Sequence, residues 1–128
     1  MSYHFTKTLG LPFDQAVERV TEALAKEGFG VLTDIDVAAT MKKKLGQEFR
    51  PYRILGACNP QLAYRALTLE DKIGTMLPCN VIVQQHEGGA IEVSAVDPVA
   101  SMQAIQNPSL AEVAKEVQAK LKRVVDSV

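Results

Sequence analysis

Apolar positions along this chain recur with two periods. Ser2 to Thr8 alternates, with Tyr3 and Phe5 on one face and His4, Thr6 and Thr8 on the other, which predicts a strand. Phe13 to Glu27 carries Phe13, Val17, Val20 and Leu24 at helical spacings and ends at Gly28, a helix-stopping residue. Phe29 to Asp34 is rich in β-branched and aromatic residues and predicts a second strand. Asp36 reads as the N-cap of a short helix over Val37 to Leu45, stopped by Gly46. Tyr52 to Ala57 is the third strand.

Three Asn-Pro or Asp-Pro pairs punctuate the rest, at 59–60, 97–98 and 107–108. A capping side chain followed by a proline that needs no N–H is a helix start. Asn59-Pro60 opens a helix with Leu62, Ala63, Ala66 and Leu67 as its apolar stripe. Asp97-Pro98 opens one or two turns. Asn107-Pro108 opens the last helix, with Leu110, Val113, Val117, Leu121 and Val124 on one face. Between them, runs 81–85 and 90–96 flank His86-Glu87-Gly88-Gly89 and predict a hairpin.

The predicted order is β-α-β-α-β-α-β-β-α, a single α+β domain over 1–128. Its expected architecture is one five-stranded mixed or antiparallel sheet with helices packed on one face. That leaves the other sheet face uncovered. In the hairpin, Val81, Val83, Ile91 and Val93 suit the core, and Gln84, Glu92 and Ser94 the open face. The open face is expected to carry Leu32, Asp34, Arg53 and Leu55 as well, a mixed surface suited to a homodimer contact or a ligand floor.

Composition narrows the partners. The chain has 128 residues with 14 basic, 15 acidic and a formal net charge of −1, so it carries no electrostatic footprint for nucleic acid. No apolar run approaches the roughly 18 residues of a membrane span, and the first residues lack a secretory pattern, so a cytoplasmic location is expected.

The candidate chemistry centres on two segments, Leu55-Gly56-Ala57-Cys58-Asn59-Pro60 and Leu77-Pro78-Cys79-Asn80, which hold both cysteines. Cys58 precedes a helix start, where main-chain N–H groups favour thiolate. Against this, free cysteine is among the most buried residue types. The 21-position spacing fits no common zinc pattern, so no metal and no cofactor is assigned. His4 and His86 have no local mark of a ligand. Asp34 and Asp36 share a face in extended chain and form a carboxylate pair, although Asp36 also serves as a cap. No Ser-His-Asp set can be assembled, and no reaction is assigned.

These segments also resemble a known family. Gly28-Phe29-Gly30-Val31-Leu32-Thr33, Ile35-Asp36-Val37, the 52–60 stretch, the 77–80 stretch and Val96-Asp97-Pro98 occur in an order similar to that of the bacterial and archaeal family called domain of unknown function 302. The resemblance implies a compact α+β fold, a homodimer and no established activity.

The expectation is therefore a homodimer that binds a small ligand or partner in a groove beside Cys58, Asn59, Cys79, Asn80, Asp34 and Asp36. Two other readings stand beside it: a thiol-dependent redox or metal-handling protein using Cys58 and Cys79, and a structural or interaction module.

Overall fold

The computed structural model describes residues 2–128. The strands are β1 (His4–Leu9), β2 (Gly30–Asp36), β3 (Tyr52–Cys58), β4 (Cys79–Gln85) and β5 (Ile91–Val96). The helices are α1 (Phe13–Lys26), α2 (Val37–Leu45), α3 (Pro60–Leu69), α4 (Pro98–Ser101) and α5 (Pro108–Ser127). Ile73–Met76 forms a 3₁₀ turn that the apolar pattern does not predict.

The strands form one sheet in the order β1-β5-β4-β3-β2, and every neighbouring pair is antiparallel. The mixed alternative allowed by the αβ alternation is therefore not adopted. The first two strands lie at opposite edges, and α1 packs beneath the sheet between them. Strands that alternate with helices suggest parallel neighbours, yet here the later strands fill the middle.

All three Asn-Pro and Asp-Pro pairs become helix starts. Asn59 Oδ1 accepts from the N–H of Leu62, Asn107 Oδ1 from that of Leu110, and Asp97 Oδ1 from those of Val99 and Ala100. Asp36 likewise caps α2 through the N–H of Ala39.

The core lies between the sheet and α1, α3 and α5. Leu121 and Val124 of α5 are fully buried, as are Val20 and Leu24 of α1 and Val81, Val83 and Val93 of the hairpin. Burial of this many aliphatic side chains, each worth about 1.5–3 kcal/mol, supplies the main drive for folding. The hairpin faces fall as the alternation predicts. Gln84 and Ser94 lie on the open side, each 8% exposed.

The expected face of β3 is reversed. Leu55 is 1% exposed on the helix side, paired with Val81, and Arg53 shares that side through its pairing with Val83. Asp34, paired with Leu55, lies there too. The strand is apolar almost throughout, so its pattern does not fix the phase. Gly56 fixes it. A Cβ on Gly56 would stand 2.1 Å from Thr33 Oγ1 and 2.7 Å from Pro78 Cγ, so a residue without a side chain must face that way. Leu55 and Ala57 then point into the core. Leu32 leaves the alternation for another reason. The β2–β3 register shifts between Val31 and Thr33, and this bulge turns Leu32 outward, 68% exposed.

Candidate functional site

Beneath α3 lies an apolar cavity of about 300 Å³. The sheet contributes Ala57 and Cys58 at the end of β3 and Cys79 at the start of β4. Helix α3 contributes Leu62, Ala63, Ala66 and Leu67; α5 contributes Leu110, Val113, Ala114 and Val117. The remaining wall is Phe29, Leu32, the Leu77-Pro78 pair, Pro98 and Met102. None of these lining residues is charged.

The two cysteine segments meet because β3 and β4 are antiparallel neighbours. Ala57 pairs with Cys79, so the end of one segment lies beside the start of the other. Both cysteines are free thiols on the same cavity. Cys79 is buried, and burial, followed by the neighbouring Cys58, pushes its thiol up from 9.0 to about 11. Cys58 is only half-buried.

Asn59 holds the cavity wall in place. Its Oδ1 caps α3, and its Nδ2 donates to the main-chain oxygen of Glu27 at the end of α1, 3.3 Å away. Asn107 repeats the device one joint further on: Oδ1 caps α5 and Nδ2 donates to the oxygen of Leu69, the last residue of α3. A carboxamide can accept from an orphan N–H at one helix start and donate to an orphan carbonyl at another helix end. An ionised aspartate, which only accepts, cannot match both tasks. In the same joint, Gly28 adopts φ +85°, and a Cβ there would meet Asn59 Nδ2 at 3.0 Å.

The structure thus brings Cys58, Asn59 and Cys79 together and separates the other candidates from them. Asn80 pairs with Gly56 and faces the opposite side of the sheet. Asp34 and Asp36 sit near the far end of the β2–β3 ladder. There Asp36 pairs with Arg53, while Gly30 pairs with Cys58 at the near end. Five strand positions separate Arg53 from Cys58, roughly 16 Å at about 3.3 Å per residue. Both carboxylates have local work. Asp34 accepts a two-pronged contact from Arg53, and that hydrogen bond holds its carboxyl below the usual carboxylate range. Asp36 caps α2. His4 bonds to Thr6, and His86 faces Glu92.

Sequence reasoning missed the half of the cavity made by α4 and α5. Met102 and Ala114 carry no individual signal, since each reads as an ordinary core or turn residue, and Pro98 is marked in the sequence as a helix start but not as a cavity wall. The open face, expected as a dimer contact or ligand floor, carries a second, shallower hollow of about 430 Å³, where Tyr52, Ile82, Gln84, Glu92 and Ser94 lie together. Arg50 partly roofs that side, bonding Gln84 Oε1 and lying over the rings of Phe49 and Tyr52.

The architecture and the cavity can be set beside known proteins. A family model described as "Domain of unknown function DUF302" matches residues 5–128. The chain belongs to the DUF302 family. No curated protein matches it. Among solved structures it is similar to an uncharacterised conserved DUF302 protein from Bacillus stearothermophilus. The identity is 31% and the TM-score 0.92, over 99% of this chain and 98% of that one. Agreement at that level shows that the two chains share the fold described above. Four of the five stretches that carry the family resemblance reach the cavity, through Phe29 and Leu32, Ala57 to Asn59, Leu77 to Cys79, and Pro98. Only Ile35-Asp36-Val37 does not.

Proposed function

We propose that this DUF302 protein is a cytoplasmic homodimer that binds a small molecule in the cavity beneath α3. One observation carries the binding half of the reading: family-like stretches far apart in sequence converge on one concave, preformed apolar site. Folding alone would be served as well by filling that space, since packed interiors leave few voids larger than a water molecule. A cavity of this size falls at the lower end of ligand pockets, about 300–1,000 Å³. A thermal-shift screen of small molecules tests it. A compound that raises the melting temperature of the native protein, and not that of an Ala63→Trp variant with the cavity filled, supports the reading. A screen in which no compound discriminates the two removes it.

The dimer half rests on the open sheet face. Tyr52, Ile54, Ile82 and Val96 are only partly buried there and sit among Thr6, Gln84, Glu92 and Ser94. Apolar side chains interspersed with paired polar ones suit a self-complementary two-fold contact. Light scattering at tens of micromolar should give twice the protomer mass, and Ile82→Lys should give the monomer.

A second reading has its own observation, the two thiols on one cavity wall. Under it Cys58 and Cys79 act together in redox exchange or in holding a soft metal ion. Thiol titration with and without added zinc separates this from the first reading.

A further inference from the structure

The polar inventory of the cavity beneath α3 identifies the class of molecule it takes, given the reading that this cavity is the ligand site. We infer that its ligand is an uncharged, mainly hydrocarbon molecule or moiety of roughly ten non-hydrogen atoms, at about 30 Å³ each, the share of a water molecule in the liquid.

The first argument is that the polar groups around the cavity are already engaged. The α3 N-terminus, the natural place for an anion, keeps one unbonded N–H, that of Gln61, a residue that does not line the cavity. Pro60 has no N–H, that of Leu62 is bonded to Asn59 Oδ1, and that of Ala63 to Asn59 O. The Asn59 amide is bonded to Glu27 O. Asp97, beside the lining Pro98, is turned to Val99, Ala100 and Gln118. An ion placed here would leave water and meet no partner, a cost far larger than apolar contact returns.

The second argument is the mouth. Leu32 is 68% exposed and Leu67 45% exposed, and both line the cavity. A bulge turns Leu32 outward, where an isolated leucine gains nothing from water. These two side chains extend the apolar wall to the surface, with no lysine or arginine among the lining residues to hold an acidic head group. The soft atoms that remain, the thiols and the Met102 thioether, suit contact with hydrocarbon or an aromatic edge.

The test uses the purified full chain and the uncharged fluorophore 1-naphthylamine, a molecule of the inferred size whose emission shifts to the blue on leaving water. Displacement is measured with 1-octanol, octanoate and octylammonium at pH 7.5, three compounds with one tail and different charge. The expected result is displacement by octanol at a concentration at least about tenfold below that of either ion. Leu67→Lys, at an exposed position that leaves the core untouched, should weaken octanol severalfold, and Ala63→Trp should abolish fluorophore binding. Equal or tighter binding of octanoate, lost in Ala63→Trp, overturns the ligand class and leaves the cavity as the site. No fluorophore binding by a folded wild-type protein overturns both. So does a dimer that Leu67→Lys converts to monomer, because a second copy then occupies the mouth.

Discussion

Gly56 and Pro78 touch across the β3–β4 pair so closely that a methyl group on Gly56 would stand 2.7 Å from Pro78 Cγ. Gly56 belongs to the first cysteine segment and Pro78 to the second, so this contact interlocks the two. Thr33 closes over the same spot from β2, with Oγ1 at 2.1 Å from that notional carbon.

Gly56→Ala should therefore destabilise the fold by about 1–3 kcal/mol, the usual cost of overpacking. Thr33→Ala in the same chain should recover part of the loss, because the rigid Pro78 ring remains. Denaturant unfolding of the two single variants and the double variant measures the coupling. Additive effects would show that Thr33 and residue 56 do not meet.

Asn59 spans the α1 and α3 ends with one carboxamide. Asn59→Asp keeps the cap but removes the donor to Glu27 O, and should cost about 1 kcal/mol. Asn59→Ala loses both bonds and should cost about 1–2 kcal/mol more than a typical surface change. If Asn59→Asp equals wild type in thermal melts, the bond to Glu27 contributes nothing.

The cysteines should differ in reactivity. Near neutral pH, Cys79, with its thiol pushed to about 11 and its side chain buried, should resist alkylation in the folded protein. Cys58, half-buried, should be modified first. Mass spectrometry after brief iodoacetamide treatment reads the order directly.

The Cys79 shift also has a stability consequence. The folded value lies above the unfolded 9.0, so the folded state holds this proton more tightly. The contribution is fully present below pH 9 and is lost as pH rises toward about 11. Cys79→Ala should flatten that alkaline decline relative to wild type by an amount on the order of 2 kcal/mol. Parallel pH profiles for the two proteins would rule this out.

Asp34 works in the opposite sense. Its hydrogen bond with Arg53 lowers the folded value below 3.8, so the stabilisation is present at neutral pH. It is lost as pH falls through the lowered value. The pair is partly solvated, so in urea unfolding Asp34→Asn should cost less than about 1 kcal/mol at pH 7, and progressively less as pH falls below 3.8.

Much of this was legible in one dimension. The caps at Asp36, Asn59, Asp97 and Asn107 act over three residues, so local sequence states them completely. The 81–96 hairpin faces follow from alternation, and the helix on 108–127 from its spacing. The two cysteine segments could be singled out because each joins an apolar run to a turn signal. What the sequence could not contain was the position of those segments relative to Asp34 and Asp36. A strand's pattern gives its faces but neither its neighbours nor the direction in which it is paired. Antiparallel pairing of β3 with β4 set Cys58 beside Cys79, and the β2–β3 register carried the aspartates to the other end. The phase of β3 was hidden because Ile54, Leu55 and Ala57 are all apolar; only the contacts of Gly56 with Thr33 and Pro78 resolve it. The cavity itself belongs wholly to the tertiary structure. Its walls come from residues as far apart as Phe29 and Val117, and an empty volume is a property of how surfaces meet, which no single segment encodes.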